Sequence, residues 1–340
     1  MENMPLVSVL ICAYNAAPYL KESMMAVINQ TYRNLEIIVV EDGSTDDTLS
    51  ILQDFAQQDS RIHIVQNEQN MGLISSLNKG LEHVHGKYIA RTDADDITEP
   101  QWVEKIVLEL EKRSDIAAMG AYIRIFSEKG NGSKLAEFNQ HNSIVKQATE
   151  PQELERNLLF HTPFHHPTVI MRAQVVQQHG LRYNKDYPHA EDYRFWADIS
   201  RYGKLANYPE PLLNYRLHAN QVSSKYNDAQ IQTTRKIRRE IWLERIGAMG
   251  IDTSLWRLDI HALTQFIGQI RVSMRHYTQE QQELLQLFLY YSYLSLDDKT
   301  YSFAYLVKFL FGSEKRFFTK RQRMKIIKKF IRPYKYSHFF

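Results

Sequence analysis

Through the first 125 residues, short apolar runs alternate with longer stretches whose apolar residues recur every three or four positions. Val7–Ile11, Leu35–Val40, Ile62–Val65 and Tyr88–Arg91 are rich in Val and Ile and short enough for buried strands. Between them Tyr19–Asn29, Thr48–Gln57 and Ile74–His83 carry helical spacing, and Gln101–Arg113 follows as a fourth helix. Asp46 and Asp47 stand where the second helix needs a cap, and Pro100 suits the first turn of the fourth. Regular strand–helix alternation predicts an α/β domain with a parallel sheet covered on both faces. Ala117–Phe126 reads as a further strand, ended by a turn at Glu128-Lys-Gly-Asn-Gly132. Shorter elements follow to about residue 225. From Asp228 onward the pattern is helical, with Trp242, Leu243, Ile246, Phe266, Ile267 and Leu284–Leu289 as apolar faces. The expected organisation is an α/β domain over residues 1–225 and a helical region over 226–340.

Composition narrows the class. The 340 residues suffice for a large core. The single cysteine, Cys12, excludes an internal disulfide and fits a reducing compartment. Leu6 to Ala13 is short, interrupted by Ser8 and preceded by Glu2, which does not resemble a secretory leader. Leu284 to Leu296 falls short of the roughly 20 apolar residues that span a bilayer. These features predict a cytoplasmic protein. The net charge of +3 conceals an asymmetry: residues 313–340 hold ten Lys or Arg against Glu314, leaving −6 on the first 312 residues. A basic tail on an acidic body predicts a separate partner for the tail.

The polar residues of interest gather where the strands end, the edge at which open α/β sheets bind ligands. Strand one runs into Ala13-Tyr14-Asn15, strand two into Glu41-Asp-Gly-Ser44, and strand four into Asp93-Ala94-Asp95-Asp96. Three carboxylates within four residues repel one another and call for a hard divalent cation, typically one that bridges phosphate oxygens. An acidic surface turn would use the same residue types; the joint arrangement on three strand ends is what favours nucleotide chemistry. Tyr14 offers a stacking face and Asp42 a hydrogen-bond acceptor. Neither a Gly-x-Gly-x-x-Gly fingerprint nor a phosphate-cradling Gly-rich loop is present, so a cation is the expected holder of a diphosphate.

Val7-Ser-Val-Leu-Ile-Cys-Ala-Tyr-Asn15, Glu41-Asp-Gly-Ser-Thr-Asp46, Asn70-Met-Gly-Leu73 with Asn78-Lys-Gly80, and Thr92-Asp-Ala-Asp-Asp96 resemble the family 2 inverting glycosyltransferases of the GT-A fold. His166-Pro-Thr-Val-Ile-Met-Arg172, Ala190-Glu-Asp-Tyr-Arg-Phe-Trp196 and Tyr215-Arg-Leu-His-Ala-Asn-Gln-Val-Ser223 extend the likeness over about the first 225 residues. The wording of Tyr88–Asp96 and Tyr215–Tyr226 is especially similar to β-1,3-N-acetylglucosaminyltransferases of bacterial lipooligosaccharide assembly.

The resemblance implies a UDP-sugar donor bound along Ala13, Tyr14, Asn15, Asp42, Asn70, Asp93 and Ala94. Tyr14 and Asp42 would hold uracil and ribose, and Asp93 the ribose or sugar. Asp95 would ligate Mn²⁺ or Mg²⁺, with His218 as a further ligand; imidazole suits Mn²⁺ better. Arg91 is either a positive charge near the diphosphate or a structural ion-pair partner. Glu41 replaces the commoner Asp. Asp192 would be the general base. Its local sequence alone reads as a helix N-terminal charge, and the resemblance assigns the chemistry. The acceptor, a galactose-terminated oligosaccharide, is expected near Phe164, His165, His166 and Glu191; a zinc site among His161, His165 and His166 is not expected, since neighbours in an extended segment point apart.

The tail from Lys315 to Lys335 interleaves basic residues with Phe317, Phe318, Met324, Ile326, Ile327, Phe330 and Ile331. It suits an anionic membrane surface on the inner face of the inner membrane, or a helix that packs its apolar stripe on the neighbouring bundle; nucleic acid is not an expected partner. The absence of Gln-x-x-Arg-Trp speaks against a processive synthase. Two alternatives share the scaffold: UDP-N-acetylgalactosamine or UDP-galactose as donor, and a non-catalytic nucleotide- or glycan-binding protein.

Overall fold

A computed structural model describes residues 4–127, 142–218, 227–296, 309 and 318–331. Four parallel strands, β1 (Val7–Ala13), β2 (Leu35–Glu41), β3 (Ile62–Gln66) and β4 (Tyr88–Asp93), open the chain. β1 and β2 are buried on both faces, which is why they read as unbroken apolar runs. Each of the four runs one or two residues beyond its apolar segment. Pairing continues to Ala13↔Glu41 and Cys12↔Asp93, so the backbone ladder delivers the polar clusters.

The sheet then turns mixed. With β5 (Ile97–Thr98), β6 (Ile116–Ser127), β7 (Ile144–Val145), β8 (Ile170–Arg172) and β9 (Lys204–Leu217) it runs in the order β3-β2-β1-β4-β8-β6-β9-β5, and β7 pairs with β6. β8 lies antiparallel between β4 and β6, whereas β9 is parallel to β6. The expected parallel sheet therefore holds for the first half only. Beyond β4 the pairs β4–β8, β5–β9, β6–β7 and β6–β8 are antiparallel, and β6–β9 alone among the later described pairs is parallel.

Helices α1 (Ala17–Ile28), α2 (Thr48–Gln58), α3 (Leu73–Leu81) and α4 (Trp102–Lys112) separate the strands. Leu20, Met24, Trp102, Val103 and Ile106 pack on the face formed by Val7, Val9 and Ile11. α3 covers the opposite face so closely that a Cβ on Gly80 would meet Leu10 Cδ1. Asp46 serves the start of α2: its Oδ1 accepts the Thr48 N–H, while Oδ2 accepts the Ala17 N–H of α1. Pro100 lies before α4 rather than in its first turn, and its carbonyl accepts the Thr31 N–H. Short helices α5 (Pro151–Asn157), α6 (Ala173–Gln178) and α7 (Glu191–Ile199) flank the later strands.

The chain divides into two compact units, Met1–Thr234 and Arg235–Phe340. The boundary expected near residue 225 and the turn at 128–132 lie outside the described residues. The helices toward the C-terminus are α8 (Asn227–Gly247), α9 (Ile260–Ser273), α10 (Gln279–Leu294) and α11 (Lys320–Ile331). In the second unit, Trp242, Trp256 and Phe266 pack around Phe288, and the Trp256 Nε1–H donates to Ser292 Oγ. Asp259 caps α9 and a Thr278–Gln281 capping box starts α10, the local signals that fix short helices. Among the described residues no helix is long and apolar enough to cross a membrane.

Candidate active site

The C-terminal ends of β1, β2 and β4 lie side by side, so all three polar clusters share one sheet edge. At the end of β1, Ala13 is buried, whereas Tyr14 is exposed. Asn15 adopts a left-handed backbone, φ +48°, and turns its side chain back onto the second loop. Its Oδ1 accepts the Thr45 N–H at 2.8 Å, and its own N–H donates to Ser44 Oγ. The two loops are thus fixed to one another.

Asp42 is buried, and its carboxylate serves the chain first. Oδ1 accepts from Asn67 Nδ2 (2.7 Å) and from the Met71 N–H (2.8 Å), and Oδ2 accepts from the Gly72 N–H (2.9 Å). Three of its roughly four acceptor positions are filled. The expected direct holder of base and ribose is therefore also the anchor of segment 67–72. Asn70, expected at the donor, lies on that segment and accepts the Gly72 N–H through Oδ1. Glu41 is buried as well, and its Oε1 accepts the Ser44 N–H.

The β4 end carries the acidic group. Carboxylate oxygens of Asp93, Asp95 and Asp96 lie within 4.8 Å of one another. Burial, followed by the repulsion of Asp95 and Asp93, holds the Asp96 carboxyl well above the ordinary carboxylate range; burial raises Asp93 too, against the pull of Arg91. Asp96 Oδ1 accepts the Arg216 N–H, whereas the buried Oδ2 has no hydrogen-bond partner among the described residues. His218, at the end of β9, brings Nε2 to 2.8 Å from Asp95 Oδ2. That spacing matches the edge of about 3 Å between adjacent ligands of an octahedral cation. An orphaned buried oxygen, mutually repelling carboxylates and an imidazole at ligand spacing fit a divalent cation. Ala94 is buried between them.

Arg91 turns out to be buried, with its guanidinium directed to Asp93: Nη1 donates to Oδ2 at 3.0 Å, and Nη2 pairs with Oδ1. The ion pair, one of its two expected roles, is formed. Its backbone N–H donates to Val169 O, which ties β4 to the segment ahead of β8. That segment includes a 3-10 turn at His166–Thr168. His166 Nε2 lies 3.0 Å from Tyr183 Oη and its ring sits edge-on to Trp196 of α7. Burial, helped by Arg91, holds His166 well below the usual imidazole range and keeps it neutral. Burial lowers His165 to about 4, and its buried Nε2 has no hydrogen-bond partner among the described residues.

One expected acceptor residue does not belong to an open surface. Phe164 is 1% exposed and packs edge-on against Trp196 and close to Gly120. Expected beside the acceptor, Phe164 is instead part of the core.

Asp192 stands in the first turn of α7 beside the buried Glu191. Burial raises both, and with the repulsion of Glu191 it pushes Asp192 up to about 7; the Tyr193 N–H and Arg91 pull the other way. Arg91 is therefore an electrostatic neighbour of both the β4 carboxylates and the α7 acids. Tyr183, which the sequence reading passed over, stacks on Phe195 at 4.1 Å, bonds to Asn78 through its backbone and acts on this same group of charges. Arg216, two residues before His218, carries no local sequence signal that sets it apart from other basic residues.

The family model for glycosyl transferase family 2 matches residues 8–179. An uncharacterized glycosyltransferase of Haemophilus influenzae is 46% identical over 333 residues, covering 98% of each chain. Among solved structures, Staphylococcus aureus TarS 1–349 in complex with UDP-GlcNAc superposes with a TM-score of 0.56 at 14% identity, covering 96% of this chain and 92% of that one. The mannosyltransferase PcManGT of Pyrobaculum calidifontis, in complex with GDP-Man and Mn²⁺, gives a TM-score of 0.53 at 16% identity, covering 98% of this chain and 88% of that one. At such identities the two structures share the fold, which is of the GT-A type. With the family match, the full-length relative and this arrangement of strand ends in agreement, the chain belongs to glycosyl transferase family 2 and is a glycosyltransferase.

Proposed function

We propose that this glycosyltransferase moves N-acetylglucosamine from UDP-N-acetylglucosamine to the 3-hydroxyl of a terminal galactose, with inversion to a β linkage, in assembly of a lipooligosaccharide-type glycan. The observation that carries the reading is the position of Asp192 at a helix N-terminus with Arg91 as the charge it shares with the β4 carboxylates. A donor site alone has no use for a second acid poised near neutrality; a displacement needs one to accept the acceptor's proton. In this reading the galactose O3 attacks the anomeric carbon from the face opposite UDP. The O3–C1 bond forms as the bond to the β-phosphate oxygen breaks, its electron pair leaves with UDP, and the proton passes to Asp192.

Tyr14 stacks the base, the segment 67–72 anchored by Asp42 lines it, and Asp93, steadied by Arg91, meets the ribose or sugar. Asp95 and His218 would hold Mn²⁺ or Mg²⁺ with the acidic neighbours, and the cation would offset charge on the departing diphosphate. Neutral His165, His166 and the acid Glu191 supply polar contacts for the acceptor. The TarS complex with UDP-GlcNAc supports the choice of donor; the GDP-Man and Mn²⁺ complex of PcManGT supports cation use on this fold. UDP-N-acetylgalactosamine and UDP-galactose are the competing donors. Contact of the basic tail with an anionic membrane, on the cytoplasmic side, completes the proposal.

Transfer of radiolabelled sugar to lactose, run in parallel with the three UDP-sugars, tests it. Incorporation from UDP-N-acetylglucosamine, with a new β1,3 bond, is the expected result. Preference for another UDP-sugar corrects the donor, and nucleotide binding without any transfer by the wild-type chain identifies a binding protein instead.

A further inference from the structure

Arg216 has a neighbourhood that the transfer chemistry does not explain. It is 1% exposed, two residues before His218 on β9, and each part of it touches the acidic turn or the helix beside it. Its backbone N–H donates to Asp96 Oδ1 at 2.9 Å and its Nε–H donates to the Asp95 carbonyl at 2.8 Å. Its Nη2 pairs with Glu22 Oε2 of α1. The guanidinium carbon lies over the ring of Tyr19 at 4.9 Å from its centroid and over the ring of Phe126 at 4.7 Å. Tyr19 in turn lies 4.7 Å from the His218 ring, and Ser23 Oγ, also on α1, donates to the Asp93 carbonyl.

We propose that Arg216, braced by Glu22 and Tyr19, is a positioning residue for the cation site: it fixes the Asp95–Asp96 turn and carries His218 to Asp95. The inference rests on the cation reading given above and adds the device that builds the site. The argument is geometric. Asp95 and Asp96 are neighbours in a turn whose carboxylates repel, and nothing local favours their convergence. A buried arginine that bonds the backbone of one and the side chain of the other supplies the missing constraint. A lysine cannot replace it, because a single ammonium lacks the planar fork that reaches the Asp95 carbonyl and Glu22 together. Glu22 sits at the outer end of the device and is 63% exposed through its side chain, so its substitution leaves the core intact.

The test is direct Mn²⁺ binding by electron paramagnetic resonance, with saturating UDP, on the full chain and on folded Arg216→Lys and Glu22→Gln variants. Groups that orient metal ligands from outside typically account for about 10–100-fold in affinity. A loss in that range is expected for Arg216→Lys, and a smaller one, several-fold, for Glu22→Gln. Activity of both variants should recover at saturating Mn²⁺, and the pH profile of kcat should stay unchanged. Mn²⁺ affinity within twofold of the parent in both variants would overturn the proposal while leaving the cation reading intact. Absence of Mn²⁺ binding by the parent itself would overturn both. Where Arg216→Lys fails to fold, Glu22→Gln decides alone.

Discussion

Asp192 is held between opposing forces, and its titration should be visible in both turnover and stability. Burial and Glu191 favour its protonated form, while the N–H of Tyr193 and Arg91 favour the carboxylate. As a base it works only when ionised, so kcat/KM should rise through about pH 7 with a slope of one proton. The stability consequence has the opposite sign. Its folded value, about 7, lies above the ordinary 3.8, so the folded state holds a proton that the unfolded chain has released. Any stability from that proton is present in full below the ordinary value and is lost as pH climbs through the folded one. Asp192→Asn removes the ionisation altogether. It should lower kcat by about 10²–10⁴ yet raise thermal stability at pH 8, by on the order of 1 kcal/mol. Paired pH–rate and melting measurements check this. An acid limb unchanged in the Asn variant would mean that another group titrates.

At the scale of elements, the turn after β2 shows how a loop becomes part of a site. Gly43 has φ +68°, and a Cβ there would lie 2.5 to 2.7 Å from the Gln69–Asn70 peptide. Gly43→Ala should therefore push segment 67–72 off the Asp42 carboxylate, costing about 1–3 kcal/mol and raising the KM for the donor more than it lowers kcat. Steady-state kinetics with a melting curve would show it; an unchanged donor KM would mean that segment 67–72 does not contact the nucleotide. The same region marks where sequence reading stops. β1 and β2 were legible because strands buried on both faces must be apolar throughout, and the polar residues at their ends declared the binding edge. The donors that fill Asp42 were not legible, since Met71 and Gly72 act through backbone N–H groups 29 and 30 residues away. The pairing of Asp95 with His218 spans 123 residues and followed only from family likeness. Arg216 reads locally as one more basic residue, and only the return of β9 to the sheet makes it a brace. Phe164 misled because an aromatic beside histidines has the same local pattern whether it lies in a core or on a platform.

For the molecule as a whole, charge distribution governs two behaviours. Crowded carboxylates at the β4 end destabilise a cation-free fold, so added Mn²⁺ with UDP should raise the melting temperature by mass action, about 2.7 kcal/mol at a hundredfold excess over Kd. Exhaustive chelation should abolish transfer. Activity retained in chelator would remove the cation from the proposal.

The second behaviour is membrane contact through the tail, of which α11 is the described part; Lys315, Arg316, Phe317, Arg332 and Lys335 lie outside the described residues. The apolar stripe of α11 is partly committed inward. Ile326 is buried and α11 packs on α10, while Phe318 lies against Tyr293 and Phe309. Lys320, Arg321, Lys325 and Lys328 remain exposed. The helix can therefore offer charge to a surface more readily than it can insert apolar side chains. Deleting residues 313–340 would confound the question, because it strips Phe318 and Ile326 from a core. Charge reversal of the four exposed basic residues is the cleaner experiment. At about 1 kcal/mol per basic residue near an anionic surface, even their neutralisation should weaken sedimentation with phosphatidylglycerol vesicles on the order of a thousandfold. About 0.5 M salt, by shortening the screening length, should release the parent chain. Ile326→Ala should instead lower stability by about 2–5 kcal/mol and leave vesicle binding of the folded protein unchanged. Binding that survives both high salt and charge reversal would show that apolar insertion, not electrostatic attraction, holds the enzyme at a membrane.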